Sequence, residues 1–159
     1  MKTMTKKDRD LLLKDLCARL PYGVIVDYKE NEFELPHWKI TTIYPETLDG
    51  WIGYDKRVGA GSESGSRPFK IGEVKPYLRP MSSMTKEEGK ELEHIFSEID
   101  APCWVDTEYG CVTFAGGDFI DAGIAEVYTD WLNKKMFDYR GLIEKGLALE
   151  APEDMYKNE

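Results

Sequence analysis

The chain has 159 residues, 42% apolar and 12% aromatic, enough to bury a core and too apolar for a disordered polymer. It carries a net charge of -9 at a pI of about 4.8, and from Glu91 to Asp130 ten carboxylates stand without one Lys or Arg. Such a surface repels phosphate backbones and attracts cations or basic protein surfaces, which argues against a nucleic-acid binder.

The first element in chain order is a helix. Thr5 is placed to cap it with Asp8 three residues on, and Leu12, Leu13, Leu16, Cys17 and Leu20 recur at helical spacing. Pro21-Tyr22-Gly23 stops it. This helix is basic, with six basic groups against three acids in residues 1–20. The remainder holds 15 basic and 27 acidic groups, a net of -12, a polarity that leaves self-association open beside plain solubility. Alternating apolar residues then predict antiparallel strands. Val24, Val26 and Tyr28 form one, and Lys29–Glu32 reads as a turn before Phe33 and Leu35. Trp38, Ile40, Thr42 and Tyr44 form another, Trp51, Ile52 and Tyr54 a third, and Phe69, Ile71 and Val74 the last. Short strands with polar connections predict a meander or a small curled barrel. Gly59–Ser66, rich in Gly and Ser, reads as a mobile hairpin tip.

Lys75–Pro80 is expected to be extended, because each proline restricts the residue before it. Thr85 and Glu88 form a full capping box for a second helix, whose stripe is Leu92, Ile95, Phe96 and Ile99; Gly89 weakens it slightly. Cys103–Glu108 and Cys111–Phe114 predict a hairpin about Tyr109-Gly110. Gly116-Gly117-Asp118 breaks the chain. A third helix runs from near Asp121 or Gly123 to Lys135 through Ile124, Val127, Tyr128, Trp131 and Leu132, and a short last helix carries Leu142, Ile143 and Leu147. The expected fold is one α+β domain over residues 1–151: a small antiparallel, barrel-like sheet, an N-terminal amphipathic helix and C-terminal helices, followed by a frayed polar tail at 152–159.

Candidate chemistry is sparse. The Gly-Ser loop lacks the Gly-Lys-Ser/Thr ending of a phosphate-binding loop, and a strand, not a helix, follows it. Cys103 and Cys111 are too far apart in sequence for a usual zinc pair, with His94 the nearest other soft ligand. Neither His37 nor His94 sits in a motif that would activate a cysteine. Asp106 with Glu108, on one face of a strand, and Asp118 with Asp121 could serve acid–base or hard-cation chemistry, although Asp121 is also a natural helix cap. Lys39, Lys56, Arg57, Arg67 and Lys70 give a modest basic patch among Trp38 and Trp51. Three cysteines without a framework, no leader-like segment and no long apolar run point to the cytoplasm and away from membranes.

Three blocks, LLKDLCARLPYG (12–23), EVKPYLRPMSSMTKE (73–87) and WLNKKMFDYRGLIEKGLALEA (131–151), resemble a group of small uncharacterised proteins encoded in prophages and mobile elements of gut anaerobic bacteria. The resemblance covers both ends and the middle of the chain and carries no assigned chemistry. It implies a cytoplasmic accessory protein of phage or mobile-element origin.

The resulting expectation is a non-enzymatic protein, without cofactor or metal, that binds another protein through an acidic face comprising Asp106, Glu108, Asp118 and Glu126. The alternatives are a nucleic-acid-associated module using the basic strands and loop, and a small metal-dependent hydrolase using the carboxylates or Cys103.

Overall fold

The computed structural model describes residues 3–28, 38–54, 66–115 and 122–156. The expected Lys29–Glu32 turn with Phe33 and Leu35, most of the Gly-Ser loop, and the break at Gly116–Asp118 with Asp121 lie outside them. The chain forms two compact units: Met1–Leu78 with Arg140–Glu159, and Arg79–Tyr139.

In the first unit, α1 (Lys6–Arg19) opens on a complete capping box. The Asp8 amide donates to Thr5 Oγ1 (3.1 Å) and the Thr5 amide to Asp8 Oδ2 (3.0 Å). A 3-10 turn at Leu20–Tyr22 follows and ends at Gly23, whose φ of 78° is left-handed and suits glycine. The buried stripe of α1 differs from a purely apolar one: Leu12 and Leu16 share it with Asp15 and Arg19, while Cys17 is exposed. Arg19 and Asp15 form a bidentate pair at 2.9 Å, both fully buried, and Arg140 donates to Asp15 Oδ1 at 2.7 Å. One carboxylate thus fixes its own helix and the segment that returns after the second unit.

The strands of this unit are β1 (Ile25–Tyr28), β2 (Trp38–Tyr44), β3 (Asp49–Tyr54), β4 (Ser66–Lys70) and β5 (Val74–Leu78), with β8 (Leu149–Glu150) near the C-terminus. The sheet order is β4-β3-β2-β1-β5-β8. The meander is present, but the barrel is not: the sheet is open, with β4 and β8 at its edges, and β8 joins β5 in parallel. Pro68 in β4 is typical of an edge strand, which can do without the missing amide. Gly50 permits a close crossing, since a Cβ there would lie 2.2 Å from the Thr42 carbonyl oxygen and 2.9 Å from Phe69. The expected last helix is instead a series of turns: Leu142, Leu147 and Ala148 gather round Leu78, and the Leu147 and Ala148 amides both donate to the Leu142 carbonyl. Within the stretch read as tail, the Tyr156 hydroxyl donates to the Tyr77 carbonyl (2.8 Å) and accepts from the Ile25 amide (3.2 Å).

The second unit contains α2 (Lys86–Ser97), a two-stranded hairpin of β6 (Cys103–Asp106) and β7 (Cys111–Phe114), and α3 (Ala122–Lys134). Thr85 and Glu88 cap α2 as the sequence predicts. Its core is Met84, Leu92, Phe96, Ala101, Trp131, Leu132 and Phe137, with Phe96 edge-on to Phe114 and Trp131 stacked on Phe137. Gly89 has a role that helix propensity does not reveal. A Cβ there would sit 2.8 Å from Thr107 Cγ2, so its absence lets α2 lie directly against the hairpin. The fold is therefore α+β, with open strands in place of a barrel.

Candidate functional site

The hairpin places its residues by simple alternation. Cys103, Val105, Val112 and Phe114 turn inward and pack on the α2–α3 core. Trp104, Asp106, Cys111 and Thr113 are exposed, with Trp104 opposite Thr113 and Asp106 opposite Cys111. Trp104 is 63% exposed and Tyr109, in the connecting turn, 68%. Gly110 in that turn has φ +65°, and a Cβ would meet Met81 at 2.7 Å, so glycine is required there.

Asp106 and Glu108 come together, but not as neighbours on a strand. The strand ends at Asp106, and the Glu108 amide donates to Asp106 Oδ1 at 3.0 Å, starting the turn. Both carboxylates are exposed. Glu126 is carried by a different element, on the exposed side of α3, and Asp118 lies outside the described residues. The hairpin thus unites two of the four expected residues and adds two aromatics beside them.

Other acids of the base-free stretch are engaged internally. The Val105 amide donates to Glu93 Oε1 (2.9 Å). Glu91 accepts from the Trp131 indole (3.1 Å) and from Lys135 Nζ (3.0 Å), just beyond the stretch. Burial pushes the Glu91 carboxyl up, but these two donors outweigh it and hold it below its ordinary value. Linear charge counting treats all of these acids as free charge, whereas tertiary structure engages Glu91, still exposed, with Trp131 and Lys135 and half-buried Glu93 with the hairpin backbone.

The competing chemistries find little geometry. Cys103 points inward and Cys111 outward at opposite ends of the ladder, so the two do not pair. Burial, then the Glu93 charge, raises the Cys103 thiol, the wrong direction for a thiolate nucleophile. His94 is exposed beside Glu98 on α2. Among the described residues no three His, Cys, Asp or Glu side chains are placed to hold a metal ion. Of the basic patch, Lys39 is half-buried, Arg67 and Lys70 are exposed on or beside the β4 edge, and Lys56 and Arg57 lie outside the described residues. Trp38 and Trp131 are core, while Trp51 is partly exposed on β3. Among the described residues no helix is long and apolar enough to cross a membrane.

Sequence reasoning missed the state of the hairpin edges. The Ala115 amide donates to the Pro102 carbonyl, so by alternation the ladder bonds fall at 104/113 and 106/111. Val105 then faces outward along β6, where Glu93 satisfies its amide, and Val112 and Phe114 face outward along β7. No family model, curated protein or solved structure matches the chain.

Proposed function

We propose that this is a non-enzymatic accessory protein that binds another protein, one with a basic surface, through the outer face of the β6–β7 hairpin. The observation that carries it is the exposure of Trp104 and Tyr109 beside Asp106 and Glu108 on a rigidly backed hairpin. Tryptophan and tyrosine are the residues that anchor interfaces, and carboxylates beside them select a cationic partner and speed its approach. The cytoplasm and a phage or mobile-element setting are the context that the resemblance of the three sequence blocks implies.

The test is binding of the full chain to an array of basic peptides and their charge-neutral counterparts, at low and high salt. Asp106→Asn with Glu108→Gln should weaken binding and flatten its salt dependence. Trp104→Ala should cost about 2 kcal/mol, or about thirty-fold in affinity, as an anchor residue does. Equal binding by the wild-type and both variants would refute the proposal.

A further inference from the structure

The two edges of the hairpin are treated differently, and that difference points to a mode of binding. On the β6 edge the outward amide of Val105 is already bonded to the Glu93 carboxylate, and α2 packs alongside. On the β7 edge the outward backbone groups of Val112 and Phe114 have no hydrogen-bonding partner among the described residues. Unpaired edge groups of this kind are a template for another strand. Guarding one edge of the hairpin with a half-buried carboxylate, while the other has no partner among the described residues, marks the β7 edge as the hairpin's place for strand addition.

We propose that the β7 edge accepts an extended segment of the partner protein as a third strand, and that this segment carries Lys or Arg at alternate positions. The inference rests on the hairpin-face reading above and specifies its geometry. The outer-face residues of β7, Cys111 and Thr113, are small, while their neighbours on β6 are Asp106 and Trp104. An added strand lies one spacing from β7 and two from β6, about 10 Å in all, a distance a long basic side chain can bridge across the small residues. The cation at its end then meets the Asp106 carboxylate or the face of Trp104. Main-chain bonds to Val112 and Phe114 supply affinity, and the alternate basic side chains supply selection. Charge complementarity favours such a segment over a second copy of this chain, which carries the same net charge of -9.

The test uses the full chain and two labelled peptides of alternating Lys and Val, identical except that in one the amides along a single edge are N-methylated. Anisotropy measures binding, and amide hydrogen exchange by NMR follows Val112 and Phe114. The plain peptide should bind at low salt and slow the exchange of both amides, and the methylated peptide should bind about tenfold more weakly or less. Equal binding of the two peptides with no protection of Val112 and Phe114 would overturn strand addition. If Asp106→Asn with Glu108→Gln then weakened both peptides, the acidic-face reading would survive it. Protection of both amides in the peptide-free protein, growing with concentration alongside a dimer, would overturn the proposal in favour of self-pairing. Failure of the plain peptide to bind would overturn it as well, leaving the peptide array to decide the broader reading.

Discussion

Replacing Arg79 by Met should destabilise the second unit by about 3 kcal/mol at neutral pH. Both terminal nitrogens of Arg79 donate to the two oxygens of Glu88 at 2.7 Å, and its guanidinium carbon lies 4.2 Å from the Phe137 ring centroid. The same group reaches the Ser83 carbonyl (3.2 Å) and the Lys135 carbonyl (3.4 Å). Methionine keeps an apolar stem on Phe137 but leaves the Glu88 carboxylate, 15% exposed, without its cation. A charge-assisted bidentate pair of this partial burial is worth about 2 kcal/mol, and the ring contact adds about 1 kcal/mol. The pair also sets a pH dependence. Burial raises the Glu88 carboxyl, but the bonds from Arg79 and Thr85 outweigh it and hold it below its ordinary value. A depressed carboxyl contributes stability above its unfolded value, about 4.3, and loses it as pH falls through the folded value. The gap between wild-type and variant should therefore narrow below about pH 4. Urea unfolding followed by circular dichroism and tryptophan fluorescence measures it, with Glu88→Gln completing a double-mutant cycle. A loss under about 0.5 kcal/mol, or the same loss in both Glu88 backgrounds, would refute the reasoning.

Two further perturbations test the first unit. Asp15→Ala removes the acceptor that holds Arg19 and Arg140 and should cost about 4 kcal/mol in urea unfolding, because it leaves guanidinium charge in a buried place; a loss below about 1 kcal/mol would mean that the cluster is solvated. Gly50→Ala should cost about 3 kcal/mol by driving a methyl into the Thr42 carbonyl and Phe69, whereas Gly72→Ala, which meets nothing within 4 Å, should be close to neutral; a similar effect of both would show that β2 and β3 do not cross so tightly.

Local chemistry was legible where it is local in fact. Both capping boxes, the glycine stop after α1 and the hairpin about Tyr109-Gly110 depend on neighbours within a few residues, and the sequence alone determines them. The strand expected through Phe69, Ile71 and Val74, by contrast, is broken by a 3-10 turn at Ile71–Glu73 that separates β4 from β5. The last helix failed because Leu142, Ile143 and Leu147 match helical spacing equally well when turns fold them round Leu78. The barrel failed because short alternating strands do not state whether their outer members meet, and here β4 and β8 remain apart as edges. Asp106 and Glu108 were visible as acids, but their setting was not. Only tertiary structure exposes Trp104 while burying Trp131, gives Glu91 to Trp131 and Lys135, and spends Glu93 on one hairpin edge while the other has no partner among the described residues. The physical reason is range: a cap or turn is decided by adjacent dihedrals, whereas the availability of a charge, a ring or a strand edge depends on which distant segment reaches it first.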